Sequence, residues 1–356
     1  MNFLQRAYRG DIHIDFVGRR RTWFTFSAII VTISVLSLIL RGGFNLGIEF
    51  QGGVSLEVAN VNAVSVTEMR GAIADLGLGT AKVQTVQDLS GRQDLRIETA
   101  ELTTPQQEAL KQLVAEVTGG EVGEFDAVSA TFGSRVISIA LRALIIFLIA
   151  VTLYIAIRLE WKMAIAALAA LFHDLIFTAG IYALVGFEVT PETIIAILTI
   201  LGYSLYDTVV VFDKVLENVS ERGERHTYSA LVNMSMNQVM MRSINTSLTS
   251  LLPVGSLLFV GSLLLGATTL REFALALFIG IAVGTYSSIF LAAPLLAQWK
   301  EHEERWQRVR RRVERKGGAG EYAAKGIIGP QEDSAKVAAA MSGVVARAPR
   351  KRRRTR

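Results

Sequence analysis

The stretch Ile194–Asn218, reading IIAILTILGYSLYDTVVVFDKVLEN, decides how the rest of the chain is understood. It is apolar for about twenty residues, the length a helix needs to cross the hydrocarbon of a bilayer. One carboxylate, Asp207, stands inside it. An ionisable side chain at that depth costs roughly 2.5–3.5 kcal/mol on insertion scales. Asp207 must therefore face a partner, a water-filled cavity or the interior of a helix bundle. Two readings follow: a buried polar group that ties helices together, or a site that answers to a proton or another ion.

Working outward, five more apolar runs of spanning length accompany Thr193–Phe212: Trp23–Leu40, Val136–Ile157, Met163–Val185, Val239–Leu264 and Phe273–Trp299. With 51% of residues hydrophobic and 19% charged, a soluble globule is excluded and a polytopic membrane protein is expected. Cysteine is absent, which rules out disulfides, thiolate metal sites and cysteine nucleophiles. Basic residues collect before the first run (Arg6, Arg9, Arg19, Arg20, Arg21), beside the turn between runs two and three (Arg158, Lys162) and after run four (Lys214, Arg222, Arg225). By the positive-inside rule these segments and both termini are cytoplasmic, and the short loops at 186–190 and 267–271 are outside. The net charge of +5 is a topology signal that requires no nucleic acid. The long basic start and the Arg-Gly-Gly after Leu40 do not read as a cleavable signal, so Trp23–Leu40 is taken as a retained first span.

Residues from about 44 to 134 form the one sizeable outer segment. It opens with FNLGIEFQGGVSLEV, residues 44–58, where closely spaced glycines interleaved with apolar residues predict a tight, fixed passage from helix into strand. Alternation predicts strands at Val54–Val58, Ala81–Gln87, Asp94–Thr99 and Phe125–Phe132. A turn is expected at Leu89–Arg92. Helical periodicity predicts Thr67–Leu78, capped at Thr67, and Thr104–Thr118, capped at Thr103 or Thr104 and stopped by Gly119-Gly120. The order β-α-β-β-α-β is that of the split βαβ, ferredoxin-like arrangement. The segment holds no histidine and no catalytic cluster, so it reads as a binding or moving domain.

Polar residues inside the spans are few. Arg142 lies near the outer end of span two, where snorkelling accounts for it. His173-Asp174 sits near mid-depth in span three, as a hydrogen bond between helices or as part of a proton path. In span four Thr199, Tyr203 and Asp207 recur at four-residue steps and suggest one polar stripe, and Asp213 marks the cytoplasmic edge. Span five carries Arg242 at a depth comparable to Asp207, followed by Thr246, Thr249 and the kinking Pro253. Asp207 and Arg242 on consecutive antiparallel helices can pair directly or through water; Arg242 as a membrane-edge anchor is the alternative. Span six contains Gly280-x-x-x-Gly284, which permits close helix approach. The tail begins as a charged helix and ends in a disorder-prone basic segment suited to anionic lipid head groups.

Several of these segments together resemble the SecF family of the SecD–SecF complex, within the resistance-nodulation-division superfamily. They are Gly47-Ile48-Glu49-Phe50-Gln51-Gly52-Gly53, the run from Gly202 to Asp213, the run from Arg242 to Ser250, Phe273-Ala274 and Gly284–Ser288. The resemblance covers about residues 15–300. It implies a polytopic α-helical membrane protein with six transmembrane helices and one small α+β ferredoxin-like extracytoplasmic domain between helices one and two. The implied limits are residues 1–22 for a cytoplasmic start, 23–40 for helix one, 41–135 for the domain, 136–299 for helices two to six and 300–356 for a cytoplasmic tail. It further implies a non-enzymatic subunit in the bacterial plasma membrane, without cofactor or metal. Such a subunit pairs with SecD and works with the SecYEG translocon, the SecA pathway and YajC. It uses the proton motive force to pull exported polypeptides outward, with membrane lipids as its surroundings.

By position, Asp207 and Arg242 match the family's functional membrane pair, and His173 and Asp174 match a family His-Asp pair. Gly47, Glu49, Phe50, Gly52 and Gly53 form the helix-to-domain passage, and Tyr203, Thr246 and Thr249 support the site. Glu49 stands where the family usually has Asp, and Tyr206 stands where Asn is usual. Two alternatives remain: a subunit of a proton-driven small-molecule or lipid exporter, and an intramembrane aspartyl protease using Asp174 and Asp207. The second fits poorly, because two carboxylates sharing a proton must lie within a few ångströms. The coupling ion, H⁺ or Na⁺, is left open.

Overall fold

The apolar runs fold as helices because a chain in hydrocarbon must satisfy its backbone polar groups internally. The structure, a computed structural model, describes residues 14–87, 93–262 and 268–315. Six helices among these are long and apolar enough to cross a membrane. They are α1 (Arg20–Leu40), α5 (Ala130–Arg158), α6 (Trp161–Val185), α7 (Pro191–Arg222), α8 (Tyr228–Ser256) and α9 (Thr268–Ser287), the last continued by α10 (Ala293–Lys300).

Between α1 and α5 lies an α+β domain: β1 (Asn45–Leu46), α2 (Ile48–Gln51), β2 (Gly53–Ala59), α3 (Val66–Ala74), β3 (Lys82–Gln87), β4 (Gln93–Thr99), α4 (Thr104–Thr118) and β5 (Val122–Val128). Its sheet runs β3-β4-β2-β5 with every neighbouring pair antiparallel. Inward residues of β2 and β4 (Val54, Leu56, Val58, Leu95, Ile97) pack on Met69 and Ile73 of α3 and Leu110 and Val114 of α4. β6 (Glu188–Val189), in the turn between α6 and α7, pairs in parallel with β1 and ties the domain's first strand to the bundle.

Several predicted limits are corrected. α1 begins at Arg20 rather than Trp23. The cap of α3 is Ser65, not Thr67, because Ser65 and Glu68 form a reciprocal capping box. The hydrogen bond from the Ser65 backbone N–H, then that from its hydroxyl, holds the Glu68 carboxyl below its ordinary range. Ser65→Ala should lower hydrogen-exchange protection of α3 in the full chain about fivefold, the equivalent of about 1 kcal/mol. Thr103 caps α4. The last strand is Val122–Val128, and Phe132 lies instead in the first turn of α5, capped by Ser129. The predicted turn at 89–92 and the tail from 316 lie outside the described residues.

The basic loop expected between spans four and five is mostly helix. α7 runs to Arg222 and α8 starts at Tyr228, so the amphipathic piece before Val239 is the first third of α8. That extension is held from both chain ends. Asn233 and Asn237 accept from the backbone of Phe16 and Ile14, each at 2.8 Å. Trp306, Val309 and Val313 of α11 (Glu304–Arg315) are buried on the same side, with Trp306 edge-on to Tyr228.

Small residues let the helices approach. The buried positions of α1 are Ser27, Ser34 and Ser37, and Gly180 of α6 lies directly over Ser34, so any side chain there would overlap it. Gly280 and Gly284 likewise place α9 against Ile200 and Ser204 of α7, which is the use expected for that motif. Past Gly284 the helix widens into a π-helical turn, Ser288–Ala292, a feature that concentrates at functional sites.

Candidate ion-coupling site

Asp207 is 7% exposed and lines a cavity of about 20 Å³ with Tyr203, Ser204, Thr246, Ser247 and Thr285. That space suffices for a single water. The predicted polar stripe of α7 is rotated from where four-residue steps put it. Thr199 and Tyr203 are exposed, whereas Ser204, Asp207 and Thr208 are buried. Each four-residue step overshoots a full turn by about 40°, so the buried set follows spacings of three and four.

Arg242 does not meet Asp207 in an ion pair. Its guanidinium donates to the Tyr206 hydroxyl at 3.2 Å. It also lines a wider cleft of about 440 Å³ shared with Arg158, Asp213, Lys214 and Glu217. Its charge still reaches the Asp207 carboxylate electrostatically. Of the two pairings that equal depth allowed, direct or through water, the direct one is not formed; Tyr206, the residue beside Asp207, takes the guanidinium. Asp213 is exposed at the edge of this cleft, as a solvated end charge should be. Arg142 is exposed on α5, consistent with a side chain that snorkels. Thr246 lines the Asp207 cavity, while Thr249 is exposed and bonds only to the carbonyls of Asn245 and Thr246.

The structure gathers a second polar group that the sequence only half revealed. Asp174 is 1% exposed, and its Oδ2 accepts from Ser204 at 2.6 Å and from Ser287 at 2.8 Å. Its Oδ1 lies 3.2 Å from Nδ1 of His173. The two adjacent side chains thus meet through their own tips, with Asp174 turned to Ser204 and Ser287 and the buried His173 ring beside Tyr286 of α9, ring centroids 6.0 Å apart. Nε2 of His173 is buried without a hydrogen-bond partner among the described residues, and its ring stacks on Phe177. Thr208 and Ser288 share a hydroxyl bond of 2.8 Å, and Ser288 also donates to the Ser204 carbonyl at 3.0 Å. Ser247 and Thr285 close the far side at 2.6 Å.

Spans three, four, five and six are therefore joined by carboxylates and hydroxyls around Ser204, which touches both Asp174 and the Asp207 cavity. Such a chain holds helices in register and offers stepping positions for a proton. Ser204, Thr208, Ser247, Thr285, Ser287 and Ser288 were missed as site residues. The available signal was hydroxyl residues clustered inside apolar runs, as in Thr285-Tyr286-Ser287-Ser288.

At the helix-to-domain passage, Gly47 donates its N–H to Val189 at 2.9 Å. A side chain on Gly47 would meet the tip of the Glu49 carboxylate, which would have to swing aside to admit it. Phe50 is buried, with Gly133 at the base of α5 packed on its backbone. Gly52, at φ 78°, turns the chain into β2.

Comparison with known proteins agrees with this architecture. Residues 109–302 match the family described as "Protein export membrane protein SecD/SecF, C-terminal", and residues 38–59 match the "SecD/SecF GG Motif". The protein translocase subunit SecF of Streptomyces coelicolor is 42% identical over 326 residues, covering 90% of this chain and 85% of that one. The SecF subunit of Mycobacterium tuberculosis is 42% identical over 343 residues, covering 90% and 75%. The crystal structure of SecDF, a translocon-associated membrane protein from Thermus thermophilus, superposes with a TM-score of 0.73 at 33% identity, covering 82% of this chain and 39% of that one. These relatives are translocase subunits, which disfavours the exporter reading. With its six apolar helices, its glycine-rich passage and these matches, the chain belongs to the SecF family of membrane-embedded protein translocase subunits.

Proposed function

We propose that this subunit couples ion entry at Asp207 to movement of its α+β domain, drawing an exported polypeptide outward. The observation that carries this reading is one face of α7 and α8. There Tyr203, Tyr206, Arg242, Asn245 and Thr249 are exposed at membrane depth, beside the buried Asp207. Lipid penalises such groups, so the face fits a second protein surface that completes the site. A SecD-like subunit suits it, since the Thermus relative carries both in one chain. On this reading Arg242 is parked on Tyr206 and moves toward Asp207 or the partner during the cycle. His173, Asp174 and Ser204 supply the interior branch of the path.

The spread of basic segments supports a topology with both termini cytoplasmic and the domain outside. Its element and strand order support a ferredoxin-like, extracytoplasmic module spanning about residues 41–135. SecYEG, the SecA pathway and YajC are the surrounding machinery in this reading, which needs no cofactor and no catalytic chemistry. A proton falling through 100 mV supplies roughly 2.3 kcal/mol, enough to bias a two-state element.

Asp207→Asn tests the reading in inverted membrane vesicles. The part of translocation that depends on the proton motive force should be lost, with co-isolation of the SecD-like partner unchanged. Undiminished force-dependent translocation would defeat it.

A further inference from the structure

The joint between α1 and the α+β domain holds charges that the membrane site does not use. Lys82 of β3 donates to Glu98 of β4 at 2.9 Å and reaches across to Glu188 of β6 at 3.4 Å. That second contact links the domain's sheet to the turn between spans three and four. Burial works against the Lys82 charge, but the bond to Glu98 and the charge of Glu188 outweigh it and keep the ammonium above its ordinary range.

Behind this bridge sits Glu49. Its Oε2 is buried and has no hydrogen-bond partner among the described residues. Burial, and then the charges of Glu188, Glu192 and Glu98, raise its carboxyl above the ordinary range, against an opposing backbone hydrogen bond. Arg41 at the end of α1 bonds the Leu184 carbonyl, Arg135 stands on α5 beyond Gly133, and Arg271 pairs with Glu272 at 3.3 Å at the start of span six. Among the described residues no cation pairs with Glu49, although it occupies the point where the chain pivots from helix to domain.

We infer that Glu49 is a proton-binding carboxylate of the joint and that the Lys82–Glu188 bridge is the latch its charge controls. With Glu49 neutral, a single ammonium faces Glu98 and Glu188, and the domain docks on the span-three turn. With Glu49 ionised, its repulsion of Glu188 and Glu192 loosens the contact. The sign follows from the raised proton affinity: the docked joint binds the proton more tightly than a released, solvated one. Docking is therefore firmest in the window where Glu49 is protonated while Glu188 and Glu98 remain ionised, and it fades as pH rises through the raised range. The proton activity at the joint would thus set the domain's position. This deepens the coupling reading above, yet distances test it without any translocation assay.

The chain lacks cysteine, so labels can be placed cleanly. Spin labels on Glu116→Cys of α4 and Val185→Cys of α6, in the full chain with its partner subunit in nanodiscs, report the domain-to-bundle distance. A narrow distribution is expected at mildly acidic pH and a broad one at mildly alkaline pH. Lys82→Gln should be broad at both, and so should Glu188→Gln, which leaves the Lys82–Glu98 pair inside the sheet intact. Glu49→Gln should stay narrow at both. A Lys82→Gln or Glu188→Gln distribution like that of the parent, or a Glu49→Gln variant that keeps the parent's pH response, would each overturn the inference. Loss of translocation in Asp207→Asn with the distances intact would leave both readings standing.

Discussion

Asp174→Ala is expected to destabilise the bundle more than any other polar substitution in the spans. The carboxylate holds three groups at once: the Ser204 and Ser287 hydroxyls through Oδ2 and His173 through Oδ1. Removing it leaves the Ser204 hydroxyl and the His173 ring buried without that partner, at about 1–3 kcal/mol each before relaxation, while the Ser287 hydroxyl keeps the Gly284 carbonyl at 3.1 Å. Loss of the buried carboxylate's own desolvation cost offsets part of that, so a net loss of about 3 kcal/mol is expected. Asp174→Asn keeps the shape and one acceptor oxygen and should lie between the two. Thermal unfolding in detergent, followed for the parent, both Asp174 variants and Ser287→Ala, checks the order. An Asp174→Ala protein as stable as the parent would show that these hydroxyls do not hold the spans together.

Gly280→Leu and Gly284→Leu should be nearly as damaging for a different reason. A Cβ on Gly284 would lie 2.9 Å from that of Ser204, and one on Gly280 would overlap Ile200. Overpacking of this kind costs typically 1–3 kcal/mol, occasionally more. The larger effect is positional, because pushing α9 off α7 also parts Ser287 from Asp174 and Ser288 from Thr208. Translocation and thermal stability should fall together. With alanine at each site, Ile200→Ala is expected to rescue Gly280→Ala selectively and to leave Gly284→Ala unimproved, since only Gly280 faces Ile200. Equal rescue of both, or of neither, would mean that the contact at Gly280 is not local.

Much of the fold was legible residue by residue. The Gly119 stop of α4, the proline in the first turn of α7 and the strand alternation around Leu56 and Ile97 are local signals, and each produced the expected element. Where local signals competed, the reading slipped. Thr67 and Ser65 both suit a cap, and only Ser65 has the glutamate three residues on with which to share hydrogen bonds. Phe125–Phe132 alternates convincingly, yet Ser129 starts a helix inside it. The membrane site was legible as an inventory and not as an arrangement. Asp207, Arg242, His173 and Asp174 stood out because charge in an apolar run is conspicuous, whereas a serine in the same run is not.

The sequence by itself determined which of the described segments form membrane-length helices, how unevenly basic residues are spread between them and where a domain is inserted. Those properties are sums along the chain: apolar length and local charge act on the bilayer without reference to any other segment. The tertiary structure alone decided that Arg242 meets Tyr206, that Asp174 gathers Ser204 and Ser287, and that Lys82 crosses to Glu188. Those partners lie 36, 30, 113 and 106 residues apart. A hydrogen bond forms only when two helices settle at one rotation and depth, and small residues such as Gly284 and Gly180, packed against distant neighbours, set both.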